Sequence, residues 1–252
     1  MSTMDVTNPP EGLVLSDLHL FSPRSNGEAC LESIRKELLS ARVIVLNGDT
    51  FDFRWSPLSD EEASIRAALE WIGKFVSDHP QADVHLVIGN HDCLASFTSR
   101  LDAFAATTPR FQWHGTSLRL GDNLFVHGDC THRRMDSQGL TDYRRPWEHD
   151  RPRHPALGRG YRLADRLGIT WICHYLHFSR RKTIRHLMWY LDQSHQGWRE
   201  TTRNCYFGHT HLPFSGFGDE SIRFHNTGSA IGVSSFSPLS FHLEDSRESP
   251  FP

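Results

Sequence analysis

Five short clusters of oxygen and imidazole donors recur along the chain: Asp17-Leu18-His19, Gly48-Asp49-Thr50-Phe51-Asp52, Gly89-Asn90-His91-Asp92, His127-Gly128-Asp129 and Gly208-His209-Thr210-His211. Histidine is the commonest metal ligand and the usual acid or base near neutral pH, and 17 of the 252 residues are histidine. The donors are the carboxylates of Asp17 and Asp49, the amide of Asn90, and the imidazoles of His19, His127, His209 and His211. Seven side chains are too many for one first-row ion with open positions, and they suit two ions sharing a carboxylate. The mixed nitrogen and oxygen set favours Mn²⁺, with Fe or Zn²⁺ as alternatives, over Ca²⁺ or Mg²⁺ alone. The absence of thiolate argues against a structural zinc site. Two ions about 3.5–4 Å apart are the usual apparatus for hydrolysing phosphate esters.

A lone His-x-His beside a strand is more often structural than a ligand pair, so the elements that position the clusters must decide. Gly12 to Ser16, Arg42 to Leu46 and Asp83 to Ile88 are short apolar runs closed by turn residues, and each reads as a buried strand. Ala29 to Leu39 and Ser59 to Ser77 carry helical spacing, the latter opening on Ser59-Asp60-Glu61-Glu62. Alternating strands and helices predict an α/β fold with a largely parallel sheet, in which ligands bind at the carboxyl ends of strands. On an extended segment, residues i and i+2 share a side, which would bring Asp17 and His19 to one ion. Ser117 to Leu120, Asn123 to Val126, Asn204 to Phe207, Ile222 to Phe224 and Leu239 to Leu243 read as shorter strands of a second sheet.

Composition narrows the function classes. Hydrophobic residues make up 38% and the net charge is −3, which suits a globular chain and disfavours a globally basic nucleic-acid binder. No apolar run is long enough for a transmembrane helix. Met1 to Pro10 is polar and predicts no signal peptide. The five cysteines form no C-x-x-C pair, which fits a reducing cytoplasm. Charge is segregated: Arg133 to Arg185 holds 13 Lys or Arg against 5 Asp or Glu, a net of +8, which leaves −11 for the remainder. We expect a single domain over 1–252 with a basic, partly helical cap at 133–200, Tyr161 to Leu191 being helical in texture. Residues 245–252 read as a frayed tail.

D-x-H, G-D-x-x-D, G-N-H-D, H-G-D and G-H-x-H in this order resemble the calcineurin-like metallophosphoesterase superfamily, over residues 17 to 211. The resemblance implies a four-layer α/β/β/α sandwich with a dimetal site at the strand ends. It implies that Asp17, His19 and His211 hold one metal, that Asn90, His127 and His209 hold the other, and that Asp49 bridges them. His91 would then act above the pair as the catalytic group, oriented by Asp92. A metal-activated hydroxide attacks phosphorus in such sites, and His91 would steady the phosphoryl oxygens or protonate the leaving oxygen. Asp52 and Asp129 would orient ligands. His225-Asn226-Thr227-Gly228-Ser229 resembles a late N-x-G-S element of the same superfamily and reads as a structural turn near the site.

The core chemistry does not select a substrate; the basic cap is the best clue to one. Arg144, Arg145, Arg151 and Arg153 can make bidentate phosphate contacts, and His132, His149 and His154 are further candidates. Chain length, Ser16-Asp17-Leu18-His19-Leu20 and the cap are similar to the UDP-2,3-diacylglucosamine pyrophosphohydrolases, although His91 stands where that family usually has Arg. That resemblance implies a sugar-nucleotide pyrophosphate with an apolar portion, and peripheral membrane contact. The competing readings are a protein phosphatase, a nucleotide phosphodiesterase or nuclease of the same superfamily, and a non-catalytic binding scaffold.

Overall fold

The computed structural model describes residues 11–58, 60–150, 160, 167–169, 175–218 and 221–243. The three apolar runs near the start form β1 (Gly12–Leu15), β2 (Val43–Asn47) and β3 (Asp83–Val87), which pair in parallel. β4 (Phe111–His114) continues the sheet beyond β3. Helices α1 (Gly27–Ser33), α2 (Arg35–Ser40), α3 (Glu61–Asp78) and α4 (Ala95–Thr107) lie between these strands. The single helix expected over 29–39 is broken at Ile34, with Leu31 and Leu38 still buried in the core on either side. α3 starts one residue after Asp60, whose carboxylate caps it by accepting from the Ala63 N–H at 2.7 Å.

The second sheet holds β5 (Ser117–Leu120), β6 (Asn123–Val126), β7 (Asn204–Phe207), β8 (Phe214–Gly218) and β9 (Arg223–Asn226). Its order is β5-β6-β7-β9-β8, with parallel pairing through β6, β7 and β9 and antiparallel edges. The last strand, β10 (Leu239–Phe241), departs from expectation. It joins the first sheet, antiparallel to β1, rather than the second. Phe241 then enters the space between the sheets, 4.9 Å from the Phe125 ring.

Side-chain alternation along the strands sorts the core into three slabs. Leu13, Leu15, Ile44, Leu46, Val84 and Leu86 point to the side covered by α1 to α4. Val14, Val43, Val45 and Val87 face Leu118, Phe125 and Tyr206 of the other sheet. Leu124, Val126, Cys205 and Phe207 pack outward against α5 (Ser137–Glu148), α6 (Arg180–Ser194) and α7 (Trp198–Thr201). The order is helices, sheet, sheet, helices. A strand covered on both faces has no polar side, which is why these runs are continuously apolar. The described part of 133–200 thus supplies the fourth layer through Leu140, Ile184, Leu187, Leu191 and Trp198. Most of residues 151–174 lie outside the described residues.

Candidate metal centre

All five donor clusters follow the carboxyl ends of parallel strands: β1, β2 and β3 in one sheet, β6 and β7 in the other. The loops after β1 and β2 run side by side, with Asp17 N–H donating to Gly48 O at 3.0 Å and His19 N–H to Asp49 O at 2.9 Å. Asp17 and His19 are not on an extended segment. Their φ angles are 54° and 47°, so left-handed turns, not strand pleating, bring them to one side. Asp49, His209 and His211 share that conformation, at 51°, 64° and 58°. Such φ values are rare for residues with side chains and cluster where function constrains the backbone.

Two groups of the expected ligand atoms result, one of Asp17, His19 and His211 and one of Asp49, His127 and His209, each within 4.8 Å; a third such group is His19, Asp52 and His91. In the first, His211 Nε2 lies 3.2 Å from Asp17 Oδ1 and 3.3 Å from His19 Nε2. In the second, His127 Nε2 lies 3.2 Å from Asp49 Oδ2 without hydrogen-bonding to it. Asp49 Oδ2 is also 3.7 Å from His19 Nε2, so Asp49 stands between the groups. The two histidines of Gly208-His209-Thr210-His211 therefore serve different groups.

The fit to cations is tested by what these atoms lack. His127 Nε2, His209 Nε2 and Asn90 Oδ1 are buried with no hydrogen-bond partner. A buried polar atom without a partner is costly unless something else satisfies it. His127 Nδ1 is 3.2 Å from Asn47 O, so Nδ1–H donates there, and Nε2 is the nitrogen that faces Asp49 and would offer its lone pair to a cation once its proton leaves. The carboxylates are held by backbone: His209 N–H donates to Asp17 at 3.0 Å and His91 N–H to Asp49 Oδ1 at 2.8 Å. Glycine is required where backbone crosses these carboxylates. A Cβ on Gly208 would stand 2.1 Å from Asp17 Oδ2, and one on Gly89 2.3 Å from Asp49 Oδ1.

The electrostatics agree. Burial alone would raise the Asp17 and Asp49 pKa values, yet the surrounding imidazoles hold both well below the usual carboxylate range. Burial would lower His19 and His127, and the facing carboxylates instead push them up to about 9 and about 10. His209, buried and beside His127, is pulled down to about 3. This is a cluster of anions and imidazoles that holds protons where cations fit.

The neighbours of the donors differ from expectation. Asp92 does not touch His91. Its carboxylate accepts the N–H groups of Gly89 at 2.6 Å and Thr50 at 2.8 Å, tying the loop after β3 to the loop after β2. Asp52 is the partner of His91, with Oδ1 3.1 Å from Nδ1, and its Oδ2 is 3.6 Å from His19 Nδ1. Arg144 is not open to substrate. Its buried guanidinium pairs with Asp129 at 2.6 Å and donates to Ile88 O at 2.8 Å and Gly115 O at 2.6 Å. Arg145 is exposed and pairs with Asp142 at 2.9 Å. His132 stands 6.4 Å from the His209 ring, and His149 caps the far end of α5, exposed. Arg151, Arg153 and His154 lie outside the described residues.

The Asn226–Ser229 turn braces the centre. Asn226 Nδ2 donates to Gly208 O at 2.8 Å, Ser229 Oγ donates to Asp17 O at 3.1 Å, and Thr227 Oγ1 meets Ser16 Oγ at 2.6 Å. Sequence reasoning missed Trp147, whose ring lies 4.6 Å from His91 and carries the Arg54 guanidinium 3.8 Å from its centroid. Arg54 in turn pairs with Asp150. The signal was the spacing of Leu140, Tyr143, Arg144 and Trp147, one inward stripe of α5.

The calcineurin-like phosphoesterase family model matches residues 13–223. The chain belongs to that family. It is a metal-dependent phosphoester hydrolase; calcineurin-like phosphoesterases carry a dinuclear divalent site, and this chain has His and Asp clusters that could hold metal ions. The fold resembles that of a Mycobacterium tuberculosis phosphopantetheinyl hydrolase at 13% identity, over 96% of this chain and 99% of that one, with a TM-score of 0.45. It also resembles YfcE, a phosphoesterase from E. coli, at 16% identity over 87% and 79% of the two chains, TM-score 0.37. A dimetal phosphatase from Danio rerio aligns at 10% identity over 93% and 94%, TM-score 0.43. No curated protein matches the sequence.

Proposed function

We propose that this phosphoesterase hydrolyses a phosphoester or pyrophosphate bond at a centre where Asp17, His19 and His211 hold one ion. Asn90, His127 and His209 hold the second, and Asp49 holds both. The observation that carries this reading is the pair of buried, unpartnered atoms beside Asp49, His127 Nε2 and His209 Nε2, together with the likewise unpartnered Asn90 Oδ1. An all-nitrogen-and-oxygen donor set of this kind suits Mn²⁺, with Fe or Zn²⁺ as alternatives. When bound, the two ions supply Lewis-acid polarisation of the phosphoryl oxygens and a nucleophile at neutral pH.

The protein's own part is positioning and proton transfer. Asp52 fixes His91 through Nδ1, leaving Nε2 to donate to a phosphoryl oxygen or to the departing oxygen. Trp147 covers one side of His91 and keeps it against the centre. Asp92 acts through the backbone, by locking the Gly89 and Thr50 turns. Asp129 and Arg144 tie α5 to both sheets.

A sugar-nucleotide pyrophosphate of the UDP-2,3-diacylglucosamine type is the second reading. Exposed apolar side chains on the cap favour it: Leu167, Ile169, Tyr175 and Leu176 are 65%, 48%, 61% and 76% accessible. These would meet an acyl portion or a lipid surface. The four described cysteines are unpaired, in keeping with a reducing compartment such as the cytoplasm.

The test is a Mn²⁺-reloaded enzyme assayed on p-nitrophenyl phosphate, bis-p-nitrophenyl phosphate and a sugar-nucleotide pyrophosphate. Hydrolysis of at least one, abolished by chelator, is expected. Inertness towards all three overturns the proposal, and the ranking of rates separates the two readings.

A further inference from the structure

The basic cap residues are not scattered. One face of α6 presents Arg181, Ile184, Arg185, Met188 and Asp192 at helical spacing. This face opens into a cavity of about 430 Å³ that Arg134, Trp189 and Phe217 help to line. Arg134 stacks on Trp189, 4.0 Å from its ring centroid, which fixes a guanidinium in the cavity. The carboxylate of Asp192 is already neutralised by Arg199 at 2.9 Å. Arg134, Arg181 and Arg185 are paired with no carboxylate among the described residues. The cavity is therefore a cationic, aromatic surface on a protein whose remaining sequence is acidic.

Its position adds a direction. Arg134 follows Arg133, and Arg181 precedes Lys182; the charges of Arg133 and Lys182 both reach His132. The His132 ring lies 5.2 Å from His177 and 6.4 Å from His209 of the metal centre. Phe178 stands 5.7 Å from His209. Cations and rings thus line the α6 cavity, and rings stand again beside the second group of metal donors.

We propose that this surface is a binding track for single-stranded nucleic acid, delivering a phosphodiester backbone to the metal centre. A groove of arginines interleaved with aromatic rings is how single strands are held without sequence preference. Guanidinium groups match phosphate oxygens in a fixed fork. A nucleic acid is also a polyanion whose phosphodiester linkages a dinuclear phosphoesterase centre can hydrolyse. The inference rests on the hydrolase reading and takes its phosphodiester branch. The acidic remainder of the protein confines the strand to this face by repulsion.

The experiment is fluorescence anisotropy of a labelled oligothymidylate and of an RNA of equal length, with the full chain in chelator so that binding is read without cleavage. Three neutralised phosphates give a slope of about −2 in log affinity against log salt. The double variant Arg181→Glu with Arg185→Glu should weaken binding at least about tenfold, consistent with removing charge-assisted contacts. Arg181→Lys with Arg185→Lys should recover most of it, and Arg35→Glu on α2 should leave it unchanged. Circular dichroism melts of each variant establish folding. The proposal is overturned by no binding at low salt, by equal binding of the double Glu variant, or by polyglutamate competing as well as the oligonucleotide. That last result would assign the surface to an acidic protein. Hydrolysis of bis-p-nitrophenyl phosphate by the metal-loaded wild type is scored separately, so loss of the track and loss of the hydrolase reading are distinct results.

Discussion

His91 Nδ1 lies 3.1 Å from the carboxylate of Asp52, while the adjacent Asp92 turns away to accept two backbone N–H groups. Asp52 also receives the Trp55 N–H at 3.3 Å and faces His19 Nδ1 at 3.6 Å. One buried carboxylate therefore sets the orientation of a proposed metal ligand and of the proposed proton donor. Burial would raise its pKa, but the two imidazoles hold it well below the usual range. Asp52→Asn should lower kcat by about 10–100-fold, the usual cost of losing such an orienting partner. The loss should fall on kcat more than on Tm, because what is removed is the carboxylate that holds His91 Nδ1. Asp92→Asn should mainly lower Tm. Steady-state rates beside thermal melts decide; a kcat loss in Asp92→Asn as large as that of Asp52→Asn, at unchanged Tm, would reverse the assignment.

Asp49 stands between the two donor groups, 3.2 Å from His127 Nε2 and 3.7 Å from His19 Nε2. Asp49→Ala should reduce metal content and activity together, whereas His91→Ala should keep metal and lose rate. Metal analysis of dialysed protein checks both. Full occupancy by two ions in Asp49→Ala would remove Asp49 from its proposed place.

Arg144 binds Asp129 and the Ile88 carbonyl, both buried, and also the carbonyl of the exposed Gly115. Breaking a buried pair by removing one partner leaves the other charge uncompensated, at about 3–5 kcal/mol. Arg144→Met should be destabilised by that order, and Arg144→Met with Asp129→Leu should recover part of the loss. Denaturant unfolding of the cycle measures it. A loss confined to KM, with unchanged stability, would instead restore Arg144 as a substrate contact.

Most strands were legible because each is a short apolar run closed by turn residues, as at Val43–Asn47 and Asn204–Phe207, whereas β4 and the half-exposed, glycine-containing β8 were not read from the sequence. The donors were legible because they follow those strands. What the residue pattern did not carry was contact between distant segments. Arg144 reads as one more cation in a basic stretch, yet its partner Ile88 O lies 56 residues away. Asp52 and Asp92 are alike as letters, and only the fold of two loops makes one the His91 partner. The left-handed turns at Asp17 and His19 were hidden for the same reason. Non-glycine residues adopt them only when tertiary contacts enforce them. β10 was read as a strand but placed in the wrong sheet, since three residues can pair at either edge.

Metal affinity should rise with pH. In the metal-free protein His19 and His127 are held up to about 9 and about 10 by the carboxylates facing them, so both are protonated at neutral pH. A cation must displace those protons, and each one displaced makes affinity rise about tenfold per pH unit below these values. His209, at about 3, is already neutral and contributes no such dependence. The sign for stability is opposite. Raised histidine pKa values stabilise the metal-free fold fully below the ordinary histidine range, and that contribution is lost as pH rises through about 9 and about 10. The depressed carboxylates Asp17 and Asp49 contribute above the ordinary Asp range and lose it in acid. Tm in chelator should therefore fall from near neutrality towards high pH, while the gap between metal-loaded and metal-free Tm widens. Calorimetric titration with Mn²⁺ in buffers of different ionisation enthalpy counts the protons released. Affinity flat from about pH 6 to about pH 9 with no proton release would mean that His19 and His127 are not displaced by metal.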